Sequence, residues 1–149
     1  MSFLRVGGGG TQFRGARAVR SSNLSIASGA AIPFEVTRFD TDGFWNIAAP
    51  SRITIPAGLG GKYLVGCGTD MAGAAAGSGQ LLIRRSGDID FAFGGQLTVI
   101  ATLAPVLSVA GVIDAVAGQF FDVQVFWTVS PQTLSGGDLT FLHAIFLGA

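Results

Sequence analysis

Residues 139–147 read LTFLHAIFL, and neither side of this run is polar. Drawn as a strand, it sends Phe141, His143 and Ile145 one way and Leu142, Ala144 and Phe146 the other. A strand in a two-layer sandwich buries one face inside its own subunit, so the second face of this segment predicts a neighbouring chain that covers it. All six residues are therefore candidates for a subunit interface. The uncharged segment around Val106 to Ile113 makes the same demand. Covering several Leu or Phe side chains, each worth about 1.5–3 kcal/mol, makes association strongly favourable.

Composition agrees with that demand. Of 149 residues, 49% are hydrophobic and 12% are charged, the latter about half the usual share for a soluble domain. So few charges cannot coat a monomer of this size, and much of the surface is expected to face other chains. The length suits a single domain. A formal net charge of zero leaves no overall electrostatic footprint for nucleic acid, and none is expected as a partner. The single cysteine, Cys67, excludes an intrachain disulfide and, in its apolar run, reads as a small buried hydrophobe.

The first residues lack the apolar segment and small-residue cleavage site of a secretory signal, so export by that route is not expected. Residues Phe91 to Ile113 carry no charge and are long enough to cross a bilayer. Gly94, Gly95, Pro105 and Gly111 interrupt them, and their Val and Ile content predicts two buried strands rather than a membrane span.

Segments rich in Val, Ile, Phe and Thr, separated by Gly, Pro and Asp, predict an all-β fold. Strands are expected at 15–26, 32–38, 51–56, 61–71, 79–86, 88–93, 96–113 with a break near Pro105, 119–129 and 138–147. In the 119–129 segment Phe121, Val123, Val125 and Trp127 alternate with Asp122, Gln124, Phe126 and Thr128, the pattern of an outer sheet with one wet face. The AGAAAGSG stretch at 72–79 reads as a loop. Residues 1–14 read as an arm preceding a domain at 15–149, because Gly7 to Gly10 carry high backbone entropy and nothing to pack. Phe3, Leu4, Phe13, Arg5, Arg14 and Arg17 give this arm the composition of a tether that orders on a partner.

The candidate chemical sites are thin. Asp40, Asp42 and Gly43 offer carboxylates to calcium but lack the other ligands, and an aspartate capping its own turn is the favoured reading. Asp88 and Asp90 lie near Arg84 and Arg85 and read as exposed charge pairs. His143 is the only histidine and has apolar neighbours, which favours a core or interface role over catalysis. No Gly-x-Ser-x-Gly or His-Glu-x-x-His motif is present, and the glycine run lacks the Lys-Ser/Thr of a phosphate loop. No enzyme activity, metal or cofactor is expected.

Phe39 to Trp45 (FDTDGFW), 51–66 (SRITIPAGLGGKYLVG), 80–87 (QLLIRRSG) and 114–127 (DAVAGQFFDVQVFW) follow one another in an order that resembles the C1q and tumour-necrosis-factor-like jelly rolls. Gly61, Lys62 and Tyr63 match the Gly-x-Tyr strand after an Ile-Pro turn, Ser86 and Gly87 match a Ser-Gly turn, and Gly118 with Gln119 stands where that family has Gly-Asp. FDTDG with SRITIP is similar to the bacteriophage structural proteins that carry this fold. The resemblance implies a two-sheet antiparallel sandwich of about ten strands, a homotrimer with the final strand along its axis, and a non-enzymatic virion protein. In that reading the chain is made in the host cytoplasm and resides in the virion. It decorates or cements the capsid, or forms part of a head fibre, and binds the major capsid protein or another virion protein through its arm. The alternative is a tail-fibre or baseplate knob that binds a receptor or glycan, with Phe44 and Trp45 stacking on sugars.

Overall fold

The computed structural model describes residues 13–72, 76–86, 88–99, 106–129 and 131–149, the 88–99 segment by its backbone alone. Among these are eleven strands: β1 (Gly15–Arg20), β2 (Leu24–Ile26), β3 (Val36–Asp40), β4 (Arg52–Thr54), β5 (Gly61–Asp70), β6 (Gly77–Arg85), β7 (Asp88–Val99), β8 (Val106–Ala115), β9 (Phe120–Trp127), β10 (Gln132–Leu134) and β11 (Gly137–Gly148). They form a five-stranded antiparallel sheet in the order β3-β1-β11-β5-β8, a four-stranded sheet in the order β4-β9-β6-β7, and a two-stranded β10-β2 ribbon. The all-β jelly-roll expectation holds. No helix among the described residues is long and apolar enough to cross a membrane, and the uncharged stretch on which that question turned is built as β7 and β8 in its described parts.

The two sheets close on a core to which each strand gives alternate residues. The five-stranded sheet contributes Ala16, Ala18, Tyr63, Val65, Leu142 and Ala144, and the four-stranded sheet contributes Ile53, Leu81, Ile83, Phe121, Val123 and Val125, all fully buried. The alternation read in the 119–129 segment is therefore realised in β9. Its one charged outward residue near the centre, Asp122, is covered by Arg84 in a two-pronged pair at 2.9 and 2.7 Å, the strong geometry for a guanidinium and a carboxylate.

Several boundaries differ from the sequence expectation: the 32–38 strand is β3 at Val36–Asp40, the 51–56 strand shortens to Arg52–Thr54, and β6 begins at Gly77, inside the stretch read as a loop. Residues 15–26 are not one strand, because Ser21 and Ser22 turn around the Glu35 carboxylate, which accepts from both backbone amides at 2.7 and 2.9 Å. Beyond this corner β2 leaves the sheet and pairs with β10, a short strand not anticipated. The 88–93 and 96–99 segments join as the single strand β7.

Candidate functional site

The register of β11 decides which of its two apolar faces is free. Leu142 and Ala144 sit opposite Cys67 and Val65 of β5 and opposite Ala18 and Ala16 of β1. Both point into the sandwich and have no exposed surface. Phe146 also turns inward and packs on Tyr63 with ring centroids 5.3 Å apart. These three residues belong to the protomer's own core, which corrects their assignment as interface candidates. Phe141, His143 and Ile145 face outward and are half-buried.

The outward residues of the five-stranded sheet make a flat surface. His143 lies opposite Gly66 and Phe141 opposite Gly68. An added Cβ would come within 2.6 Å of the His143 ring at Gly66, and within 2.6 Å of the Phe141 ring at Gly68. Only glycine at those two positions lets both rings lie down on the β5 backbone. The rings stack in parallel, 5.5 Å between centroids and 6° between planes, and the Arg17 guanidinium covers the Phe141 ring at 4.1 Å. Next to them runs the row Ile145, Leu64 and Val112, followed across β5 and β8 by Gly66 with Ala110 and Gly68 with Ser108. Leu139, Leu147, Val106 and Val112 leave about half or more of their surface exposed. Charges stand at the borders: Arg17, the Arg38–Asp138 ion pair, and Lys62 opposite Asp114. An apolar centre inside a charged border has the anatomy of a protein interface.

Burial, and then the nearby Arg17 charge, lower the His143 pKa below its usual 6.5. The folded protein therefore holds this ring neutral where the unfolded chain has begun to take up a proton. The contribution is complete above pH 6.5 and is lost as the pH falls below it toward the folded value. Thermal unfolding is expected to show a lower melting temperature at pH 5.5 than at pH 7.5, with a smaller drop in His143→Gln. An equal drop in the variant would refute the assignment.

Arg17, read as part of the arm, is a residue of β1 that pairs with His143 and Phe39 and donates from Nη2 to the Asp138 carbonyl at 2.8 Å. Phe13 packs edge-on to Phe39 at 5.2 Å. Arg14 holds the end of β11 through its carbonyl, which accepts from the Phe146 amide at 2.9 Å. Phe13, Arg14, Leu59, Phe146 and Leu147 border a cleft of about 520 Å³ where the chain enters the domain. Phe3, Leu4 and Arg5 lie outside the described residues.

The remaining candidates have structural roles. The Asp40 carboxylate accepts from the amides of Gly43, Phe44 and Trp45 at 2.8–2.9 Å, the turn-capping role favoured from sequence over calcium. That compact turn also corrects the glycan reading of Phe44 and Trp45. Phe44 is 1% exposed, and the half-buried Trp45 commits its indole N–H to the Pro50 carbonyl at 3.1 Å. Cys67 is buried, and desolvation pushes its thiol up to about 12, leaving it without thiolate character at neutral pH. No cluster of three metal-ligating side chains forms among the described residues. The Asp88 and Asp90 side chains lie outside the description.

No protein-family model and no curated protein sequence matches the chain. Solved structures do match. The globular domain of zebrafish complement 1qA protein superposes with a TM-score of 0.72 at 10% identity, over 92% of this chain and 98% of that one. Murine APRIL gives 0.67 at 16% identity, over 91% and 100% of the two chains. Eiger TNF from S. frugiperda gives 0.66 at 13% identity, over 91% and 93%. The fold is thus the jelly roll of C1q and TNF-family globular domains.

Proposed function

We propose that the protein is a non-enzymatic structural module that assembles as a homotrimer through the outer face of its five-stranded sheet. The supporting observation is the glycine-flattened apolar surface around Phe141, His143, Ile145, Leu64 and Val112, with its charged border. The threefold count follows the C1q and TNF resemblance. The setting we propose is a virion. There the trimer decorates or cements a capsid, or forms the base of a head fibre, after synthesis in the host cytoplasm. Its partner is the major capsid protein or another virion protein. This setting draws on the FDTDG and SRITIP segments and their similarity to phage structural proteins.

Attachment is assigned to the segment before Phe13, since Phe13 and Arg14 are already engaged with the domain. Light scattering of the purified chain at micromolar concentration should give about three times the 15.2 kDa protomer mass; a monomer would overturn the proposal. Deleting residues 1–12 should leave the trimer intact and abolish its retention on particles. Retention without those residues would contradict the tether.

A further inference from the structure

We infer that the outer face of the four-stranded sheet holds a binding site for a single neutral sugar ring, built on Phe126 and bordered by Ser78, Gln80 and Thr128. The face belongs to three adjoining segments. β9 carries Phe126 and Thr128, β6 carries Ser78 and Gln80, and Gln80 pairs directly with Phe126. Ser78 and Thr128 are locked together at the sheet end. The Ser78 amide donates to Thr128 Oγ1 at 2.8 Å and the Thr128 amide donates to the Ser78 carbonyl at 3.0 Å.

The third wall is the turn at Ser28 and Gly29. Ser28 Oγ accepts from the Trp127 amide at 2.9 Å, and the Gly29 amide donates to the Val125 carbonyl at 2.7 Å. Gly29 has φ of 83°, and a Cβ added there would sit 4.0 Å from Phe126 Cε1, so the turn backbone stands against the ring edge. Ser28, Ser78, Gln80, Phe126 and Thr128 border a depression of about 270 Å³. Its floor is fixed by strand register rather than by a loop, which preorganises the site.

Ligand chemistry follows from the lining. The volume is below the roughly 300–1,000 Å³ of drug-sized sites, so the occupant is small. Ser28, Ser78, Gln80, Phe126, Trp127 and Thr128 include no charged group, and a charged ligand would enter without a counter-ion. Trp127 is 7% exposed and belongs to the core, so Phe126 alone supplies an apolar platform. The Ser78 hydroxyl and the exposed Gln80 amide make no side-chain hydrogen bond among the described residues, and each both donates and accepts. An apolar ligand would cover them without partners. A pyranose brings a C–H face for the ring and a rim of hydroxyls for the amide and hydroxyls. The site is on the sheet opposite the proposed trimer face, so the inference stands independently of assembly. In a trimer it would present three equivalent weak sites, an arrangement suited to avidity on a glycan-coated surface.

Saturation-transfer difference NMR on the full chain tests this with D-glucose, D-galactose, D-mannose and N-acetylglucosamine. At least one should show saturable transfer to its ring protons with Kd in the millimolar range, about −4 kcal/mol or weaker. Phe126→Ala should weaken that signal about tenfold or more, and Gln80→Ala, at an exposed position that leaves the fold intact, several-fold. Absence of transfer to all four sugars, or transfer that persists unchanged in Gln80→Ala, overturns the site.

Discussion

Val112→Asp is expected to turn the assembly into folded monomers. Val112 is 61% exposed in the protomer and stands in the outward row with Leu64 and Ile145. An aspartate there reaches water in the isolated chain, and an exposed substitution of this kind changes folding free energy by no more than about 0.5 kcal/mol. In the proposed trimer the same carboxylate enters an apolar contact, where the effective desolvation cost is several kcal/mol per ion. Since about 1.4 kcal/mol is a tenfold change, dissociation should strengthen by three orders of magnitude or more, on the order of 4 kcal/mol. Light scattering should report monomers at concentrations where the parent is trimeric, with the circular dichroism spectrum unchanged. Val116→Asp is the control: its residue is equally exposed at 62% but lies in the turn between β8 and β9, so it should leave assembly intact. A Val112→Asp chain that remains trimeric would mean that another surface holds the subunits together.

How much of this was legible in the sequence depended on the range of the interaction. Local pattern sufficed for β9, where four alternating apolar residues meet four outward ones; Tyr63, at the start of β5, was marked only by the family resemblance. The two-faced character of β11 was equally visible, but not which trio points outward. Phe141, His143 and Ile145 are as apolar as Leu142, Ala144 and Phe146, and a period of two assigns neither set to the core. The deciding information sits some 75 residues away, in Gly66 and Gly68 of β5, whose missing side chains make room for the Phe141 and His143 rings.

Phe44 and Trp45 misled for the opposite reason. Their acidic, glycine-containing neighbours look like an exposed loop, yet the Asp40 carboxylate gathers three successive amides and tucks Phe44 beneath the sheet against Tyr63, 6.2 Å between ring centroids. The depression beside Phe126 is not legible in the sequence, because Ser28, Gln80 and Phe126 are far apart in the chain and none belongs to a recognisable motif. The corner at Ser21 and Ser22 depends likewise on a carboxylate that arrives from Glu35.

That corner carries a large expected effect for a single polar side-chain truncation on stability. Arg20 ends β1 with its side chain only 5% exposed. It donates to the Pro33 carbonyl at 2.6 Å, the Ser22 carbonyl at 3.0 Å and Glu35 Oε1 at 2.9 Å. Arg20→Ala would leave the Pro33 and Ser22 carbonyls without this donor and the Glu35 carboxylate without its cation, though still bonded to Ser21 and Ser22. Breaking a buried ion pair costs about 3–5 kcal/mol. Because Glu35 is one-third exposed and water takes up part of its charge, the low end, about 3 kcal/mol, applies. For a chain of this length that lowers the melting temperature by roughly 6–12 °C, measured at fixed protomer concentration because assembly shifts apparent stability.

Acid titration separates the two partners. Hydrogen bonds from the Ser21 and Ser22 side chains, in that order, and from the Ser21 backbone hold the Glu35 pKa at about 2, below its ordinary 4.5. Its contribution is therefore complete above pH 4.5 and drains away as the pH falls toward 2. Arg20→Ala keeps those serine donors and should retain the acid-side slope at a lower overall stability. Glu35→Gln should remove that slope while costing less at pH 7, since the amide oxygen still accepts from the corner. An Arg20→Ala protein that melts with the parent would show that the corner is held by the serine–carboxylate bonds alone.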